Sequence, residues 1–175
     1  SKHPRLWHAG TTQSYDTGMN FPERHRPARC APIERTDRPT ILFVTICTRN
    51  RLPILANDIV HSALRFAWKA ADKWVVGDYI IMPDHVHLFC APATAYPTGL
   101  RKWISYWKRC ATQSAPNLAG QWQNDCWDTQ MRTVLQYREK LDYVRLNSVR
   151  QGLAPSCQDW QFRGNMAELN WSGTN

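Results

Sequence analysis

Apolar residues cluster along the middle of the chain in runs whose lengths match β-strands. Residues 41–48 form a β-branched and aromatic run bounded by Pro39 and by a polar segment, which is typical of a buried central strand. Residues 74–82 and 86–90 are two further strand-like runs, and the Pro-Asp dipeptide between them favours a tight antiparallel hairpin. A possible fourth strand covers residues 127–132.

Helical periodicity predicts three helices between and after these strands. Asn57 can cap the first, the second covers about residues 98–114, and the third covers about residues 133–150 and ends near Gly152. The apolar stripe predicted for the first helix comprises Ile59, Ala63, Phe66, Ala67 and Ala70. This order of elements favours the α+β class, with helices packed over an antiparallel sheet.

The domain organisation follows from where these patterns begin and end. Residues 1–39 contain five prolines and no sustained periodicity, which predicts an irregular, basic, Pro-rich arm. A length of 175 residues favours one domain with extensions. We therefore expect a single domain over residues 40–155 and a C-terminal tail over residues 156–175.

Charge and cysteine content narrow the class of protein. Lys and Arg number 22 against 14 Asp and Glu, a net charge of +8 that favours a polyanionic partner, nucleic acid ahead of an acidic membrane surface. No stretch approaches the roughly 18 uninterrupted apolar residues of a membrane span, so an integral membrane protein is not expected, and nucleic acid, not a membrane, is the expected partner. The six cysteines form no C-x-x-C pair and no export signal is recognisable, so reduced thiols and a cytoplasmic location are expected.

Two histidines alternate in the strand that follows the predicted hairpin. Because side chains two apart in a strand project from the same face, His85 and His87 can chelate one cation. Neutral imidazole suits Mn, Zn, Co or Ni better than Mg, although Mg can be held when oxygen ligands complete its shell. The alternative is that both histidines are half-buried and hydrogen-bonded to their neighbours.

A tyrosine lies on the polar face of the third predicted helix. Advancing about 100° per residue places Tyr143 about 180° from Val134, away from the apolar stripe, with Asn147 one turn further on the same face. A phenol has a pKa near 10, so as a nucleophile it needs help from a cation or a proton acceptor. Beside a metal it could attack a phosphodiester and form a phosphotyrosine. The alternative is an amphipathic tyrosine with its hydroxyl in water.

These motifs resemble those of a known family. Residues 83–88, Pro-Asp-His-Val-His-Leu, resemble the His-hydrophobic-His motif of the HUH endonucleases. Residues 141–153 resemble the tyrosine helix of the REP-associated tyrosine transposases, relatives of the IS200-like single-tyrosine transposases, although Ser148 stands where Pro is usual and should loosen the helix end. The similarity extends over about residues 40–163 and includes landmarks around residues 122–132 and 159–162.

The resemblance implies a fold, a chemistry and a partner. The fold would be a ferredoxin-like or RRM-like antiparallel sheet with helices on one side. Tyr143 would be the nucleophile, His85 and His87 metal ligands, and Asn147 a third ligand, with Mg or Mn as the divalent metal. The substrate would be hairpin DNA of REP-like palindromes, cleaved and rejoined through a covalent phosphotyrosine by a monomer or homodimer. The alternatives are a catalytically silent hairpin-binding protein and a metal-dependent phosphoesterase of small substrates.

Basic and aromatic side chains are the candidates for DNA contacts, because cations follow phosphates and aromatic rings stack on unpaired bases. The basic candidates are Arg101, Lys102, Lys108, Arg109, Arg132, Arg145 and Arg150. Most of the nine tryptophans are expected in the core, with one or two, such as Trp103 or Trp122, touching DNA.

Overall fold

Five antiparallel strands form one sheet in the computed structural model, which describes residues 40–169. The strands are β1 Ile41–Cys47, β2 Trp74–Ile81, β3 His85–Pro92, β4 Trp127–Met131 and β5 Arg163–Asn165. Their spatial order is β4-β1-β3-β2-β5, so the strand that carries both histidines is central. The four predicted strands are confirmed to within two residues at each end. The arm predicted over residues 1–39 lies outside the described residues.

Four α-helices accompany the sheet, and the predicted α+β class is confirmed. They are α1 Asp58–Ala70, α2 Leu100–Ser114, α3 Val134–Arg145 and α4 Asn147–Arg150. Asn57 caps α1 as predicted, since its side-chain oxygen accepts a hydrogen bond from the Val60 amide at 3.0 Å. Within residues 40–169, every helix is too short or too polar to cross a membrane.

Helices α1 and α2 pack together on one face of the sheet and enclose the larger core. Val60, Leu64 and Trp68 of α1 are buried there with Trp103 and Trp107 of α2. The predicted α1 stripe is confirmed at Ala63 and Ala67, which are buried, and is wrong at Ile59, Phe66 and Ala70, which are exposed. The bulkier residues at 60, 64 and 68 recur every four positions and bury more area, which leaves Ile59 67% and Phe66 62% exposed.

Helix α3 covers the opposite face, which corrects the expectation that all helices lie on one side. Val144 is buried against Ile41, Ile80 and Phe89 of the sheet. The reason is visible in the strands, where both sets of alternating side chains are largely apolar and each face therefore needs a cover. This second face also carries both histidines of β3.

The segment predicted as a C-terminal tail belongs to the sheet over part of its length. Residues 163–165 form β5 and pair with β2, with Arg163 opposite Ile80. Just before β5, the indole N–H of Trp160 donates a hydrogen bond to the Ile81 carbonyl at 3.0 Å. The sheet therefore extends beyond residue 155, because the outer edge of β2 offers backbone groups for pairing.

Candidate active site

The two histidines of β3 lie side by side at the start of the central strand. His85 is paired with Cys47 and His87 with Thr45 of β1, so both imidazoles project towards the face covered by α3. Both side chains are buried, and their ring centroids are 4.6 Å apart. The alternation of the sequence thus places two imidazoles where one ion could contact both.

Each histidine is held by a hydrogen bond at its Nδ1 atom. Nδ1 of His85 lies 2.7 Å from the carboxylate oxygen Oδ1 of Asp84, and Nδ1 of His87 lies 2.8 Å from the hydroxyl of Thr45. Asp84 also pairs with Arg51, whose Nε is 2.7 Å from Oδ2. When Nδ1–H donates to such an acceptor, the Nε2 lone pair is left for a metal, the arrangement usual for metal-binding histidines.

Electrostatics keep both imidazoles neutral. Burial lowers the pKa of His87 to about 3, helped by His85 and by the nearby cations Lys140, Arg51 and Arg150. Burial also lowers the pKa of His85, although the Asp84 carboxylate opposes the effect. At neutral pH both rings are therefore neutral, and with the proton on Nδ1 each ring has an Nε2 lone pair for a metal.

Asn147, at the start of α4, contacts the histidine pair through His85. Its side chain is buried, with Nδ2 3.5 Å from Nε2 of His85, while Oδ1 accepts a hydrogen bond from Gln151 at 3.3 Å. A half-turn of both side-chain amides would bring Oδ1 of Asn147 towards His85 and let its Nδ2 donate to Oε1 of Gln151. Two imidazole nitrogens and an amide oxygen fit Mn or Mg when waters and phosphate complete the shell. Residues 40–169 contain no larger group of His, Cys, Asp and Glu that could hold a metal.

Tyr143 stands at the rim of this pair. Its side chain is 41% exposed, and its ring centroid is 6.3 Å from that of His87. The guanidinium carbon of Arg150 lies 3.8 Å from the ring centroid, and Nζ of Lys140 lies 5.1 Å from it. A phenol, two cations and a candidate metal position therefore meet at one place, the groups that a phosphodiester reaction uses.

A break in the tyrosine helix positions Asn147. One helix was predicted over residues 133–150, but α3 ends at Arg145 and α4 begins at Asn147. Leu146 between them has φ −87° and ψ 1°, and its N–H reaches the carbonyls of both Asp142 and Val144. The loosening expected near Ser148 thus occurs two residues earlier, and the tightened turn redirects Asn147 towards His85.

Comparison with known proteins finds similarity to transposases. The REP-associated tyrosine transposase of Escherichia coli K12 is 25% identical to the chain over 145 residues, which cover 75% of the chain and 84% of the relative. The chain is therefore similar to a REP-associated tyrosine transposase. A solved structure of such a transposase bound to a REP hairpin superposes with a TM-score of 0.63 at 23% identity, over 72% of this chain and 76% of the other. No model of a known protein family matches.

The basic residues predicted to bind DNA do not all converge on the candidate active site. Arg150 lies at the site, over the ring of Tyr143. Arg145 is at the end of α3 and forms an ion pair with Asp78 of β2 at 3.2 Å. Arg132 is exposed just after β4. The four candidates on α2, which lie on the other face of the sheet, are Arg101, Lys102, Lys108 and Arg109.

Two of these α2 side chains already have protein partners. Arg101 forms an ion pair with Asp125. Lys108 donates a hydrogen bond to the Gln123 carbonyl at 2.9 Å, its Nζ lies 5.6 Å from the centre of the Trp122 ring, and burial lowers its pKa. Lys108 therefore anchors the segment before β4, and a phosphate contact would have to displace that bond.

The tryptophans expected to touch DNA are buried instead. Trp103 is fixed in the core, where its indole N–H donates to the Ala71 carbonyl at 2.8 Å, and Trp122 packs edge-on against Trp107. Trp127 is the exposed tryptophan among residues 40–169. The number of tryptophans in the sequence could not show which of them are exposed, because the exposure of Trp127 depends on β4 lying at the edge of the sheet.

Sequence reasoning missed four residues that hold or flank the site. Asp84 directly precedes His85, and Lys140 lies one helical turn before Tyr143, so both carried a local signal. Thr45 contacts His87 only because β1 and β3 pair in a particular register. Arg51 reaches Asp84 from a turn in which it adopts a φ of 56°, and no periodicity predicts that conformation.

Proposed function

We propose that the protein is a metal-dependent endonuclease that cleaves and rejoins hairpin DNA through a covalent bond to Tyr143. The observation that supports this proposal is the meeting of an exposed phenol, two buried neutral imidazoles and two cations within one surface. The relation to the Escherichia coli transposase, and the REP hairpin in the solved neighbour, support DNA as the substrate. We propose the cytoplasm as the place of this reaction.

The metal-binding residues would be His85, His87 and Asn147. A divalent ion, Mg or Mn, would when bound polarise the scissile phosphate and neutralise its charge. Asp84 and Thr45 orient the two imidazoles through their Nδ1 atoms. These contacts hold the Nε2 atoms in place before any ion arrives, which lowers the cost of assembling the site.

Tyr143 would attack the phosphorus of the scissile linkage. Its oxygen forms a bond to phosphorus while the bond to the leaving oxygen of the DNA breaks, and the phenolic proton passes to water. In the reverse step a DNA hydroxyl attacks the phosphotyrosine and releases the phenol, so rejoining needs no nucleotide cofactor. Arg150 and Lys140 flank the ring and would neutralise phosphate oxygens as charge moves.

The test is cleavage of a labelled palindromic single strand with Mn, with Mg and with excess EDTA. We expect product only with metal, and loss of cleavage in His85→Ala and His87→Ala with DNA affinity largely retained. His61→Gln is the matched control, because His61 lies on α1 and bonds Tyr79 away from the site. Full cleavage by either alanine variant in EDTA would overturn the proposal. Binding without cleavage under every metal condition would favour a silent hairpin-binding protein.

A further inference from the structure

Trp127 is exposed beside the candidate active site. It is the first residue of the edge strand β4 and lies directly opposite Thr45 of β1. Because paired residues point to the same face, Trp127 shares the face of Thr45, whose hydroxyl contacts His87. Its side chain is nevertheless 51% exposed.

The surface between Trp127 and Tyr143 has the composition of a single-strand binding track. Two strand spacings separate Trp127 from His87, about 10 Å between backbones. Lys140 projects onto the same face of the sheet, with Nζ 5.2 Å from the centre of the Phe43 ring and 5.1 Å from that of Tyr143. Cations that follow phosphates, with an aromatic face for a base, are the features that bind unpaired nucleic acid.

We propose that the indole of Trp127 binds an unpaired nucleobase by stacking, next to the phosphate that Tyr143 attacks. The inference rests on the proposed function for the position of the phosphate. A base within a duplex stacks on its own neighbours and cannot use this surface, so Trp127 favours the unpaired strand that adjoins a hairpin over paired DNA.

The first experiment compares DNA affinities by fluorescence anisotropy in EDTA, where no cleavage occurs. The DNA is a labelled hairpin with a single-stranded extension. Trp127→Ala should weaken binding about 5- to 150-fold, the usual range for one stacked base, and Trp127→Phe should retain most of the affinity. Phe66→Ala is the matched control, an aromatic deletion that is 62% exposed on α1 and should change nothing. Affinity for a blunt duplex should be the same in all variants.

The second experiment removes single bases from the extension. An abasic nucleotide at the stacked position should weaken wild-type binding by about the same factor as Trp127→Ala. The same abasic DNA should cause no further loss of affinity in the Trp127→Ala variant. This comparison is made within each protein, so it stands even if the substitution lowers stability.

The results separate this inference from the proposed function. Equal affinities of Trp127→Ala and Phe66→Ala, or additive losses at every abasic position, would overturn the stacking role. If Trp127→Ala and one abasic position give non-additive losses of affinity but the protein never cleaves DNA, the stacking role of Trp127 is supported and the proposed nuclease activity is refuted.

Discussion

Asp84→Asn tests whether the carboxylate beside His85 prepares the site for metal. The substitution keeps the size of the side chain but removes its charge, and the amide can offer only one oxygen to two donors, Nδ1 of His85 and Nε of Arg51. The His85 contact is buried, whereas the Arg51 side chain is 53% exposed. Because solvent screens exposed pairs, the His85 contact should carry most of the effect.

The expected magnitude follows from that contact. A hydrogen bond to a charged partner contributes about 1.5–3 kcal/mol, against about 1 kcal/mol for a neutral one. Loss of an outer partner of a metal-binding histidine typically lowers metal affinity about 10- to 100-fold, which is about 1.4–2.8 kcal/mol. We therefore expect the Mn concentration for half-maximal cleavage to rise about 10- to 100-fold.

The assay is Mn binding measured by electron paramagnetic resonance without DNA, together with a metal titration of hairpin cleavage. Arg51→Gln is the control, because it removes the exposed ion pair and leaves the contact between Asp84 and His85 intact. That variant should shift the titration only a few-fold. Unchanged Mn affinity in Asp84→Asn would refute the reasoning, and an equal loss in Arg51→Gln would assign the effect to the ion pair instead.

Three further predictions concern the ligand set, the pH dependence of folding and the binding of DNA. Asn147→Ala should raise the metal concentration for half-maximal cleavage, whereas Asn147→Asp, which keeps an oxygen ligand, should not. If Asn147→Ala instead loses much of its metal-free thermal stability and keeps the same metal dependence, the role of Asn147 is structural. Burial lowers the pKa of His61 in the folded chain, so the unfolded chain binds more protons and the free energy of unfolding should fall as pH drops below about 6.5. His61→Gln should make that dependence less steep in urea titrations, with His85 and His87 supplying the remainder, and identical pH profiles would contradict this prediction. Hairpin affinity should fall with salt, with a log-log slope of about −0.7 per phosphate contact, and a salt-independent binding constant would contradict the electrostatic account.

Much of the sheet was predictable from the sequence because each strand is a local apolar run with a breaker at its end. The shared face of His85 and His87 follows from alternation alone. The placement of α3 was not predictable in the same way. It depends on the second apolar face of the sheet, which is apparent only once the strand order is known.

The parts of the site that escaped prediction depend on long-range pairing or on a local break. Thr45 meets His87 through the register of two strands whose paired residues are 42 positions apart. Asn147 was named as a candidate ligand, but the break at Leu146 that lies beside it was not predicted, because the sequence pattern indicated one continuous helix to residue 150. Trp127 is exposed because β4 is an edge strand, whereas composition alone drew attention to Trp103.

The most direct test of the central claim is the covalent product. Wild-type protein incubated with an end-labelled hairpin strand and Mn should give a protein-DNA adduct that survives denaturing gel electrophoresis, and Tyr143→Phe should give none while still binding the hairpin. Tyr106→Phe is the matched control, since Tyr106 is 44% exposed, close to the 41% of Tyr143, but lies on α2. It should form the adduct normally. An undiminished adduct in Tyr143→Phe would contradict the account.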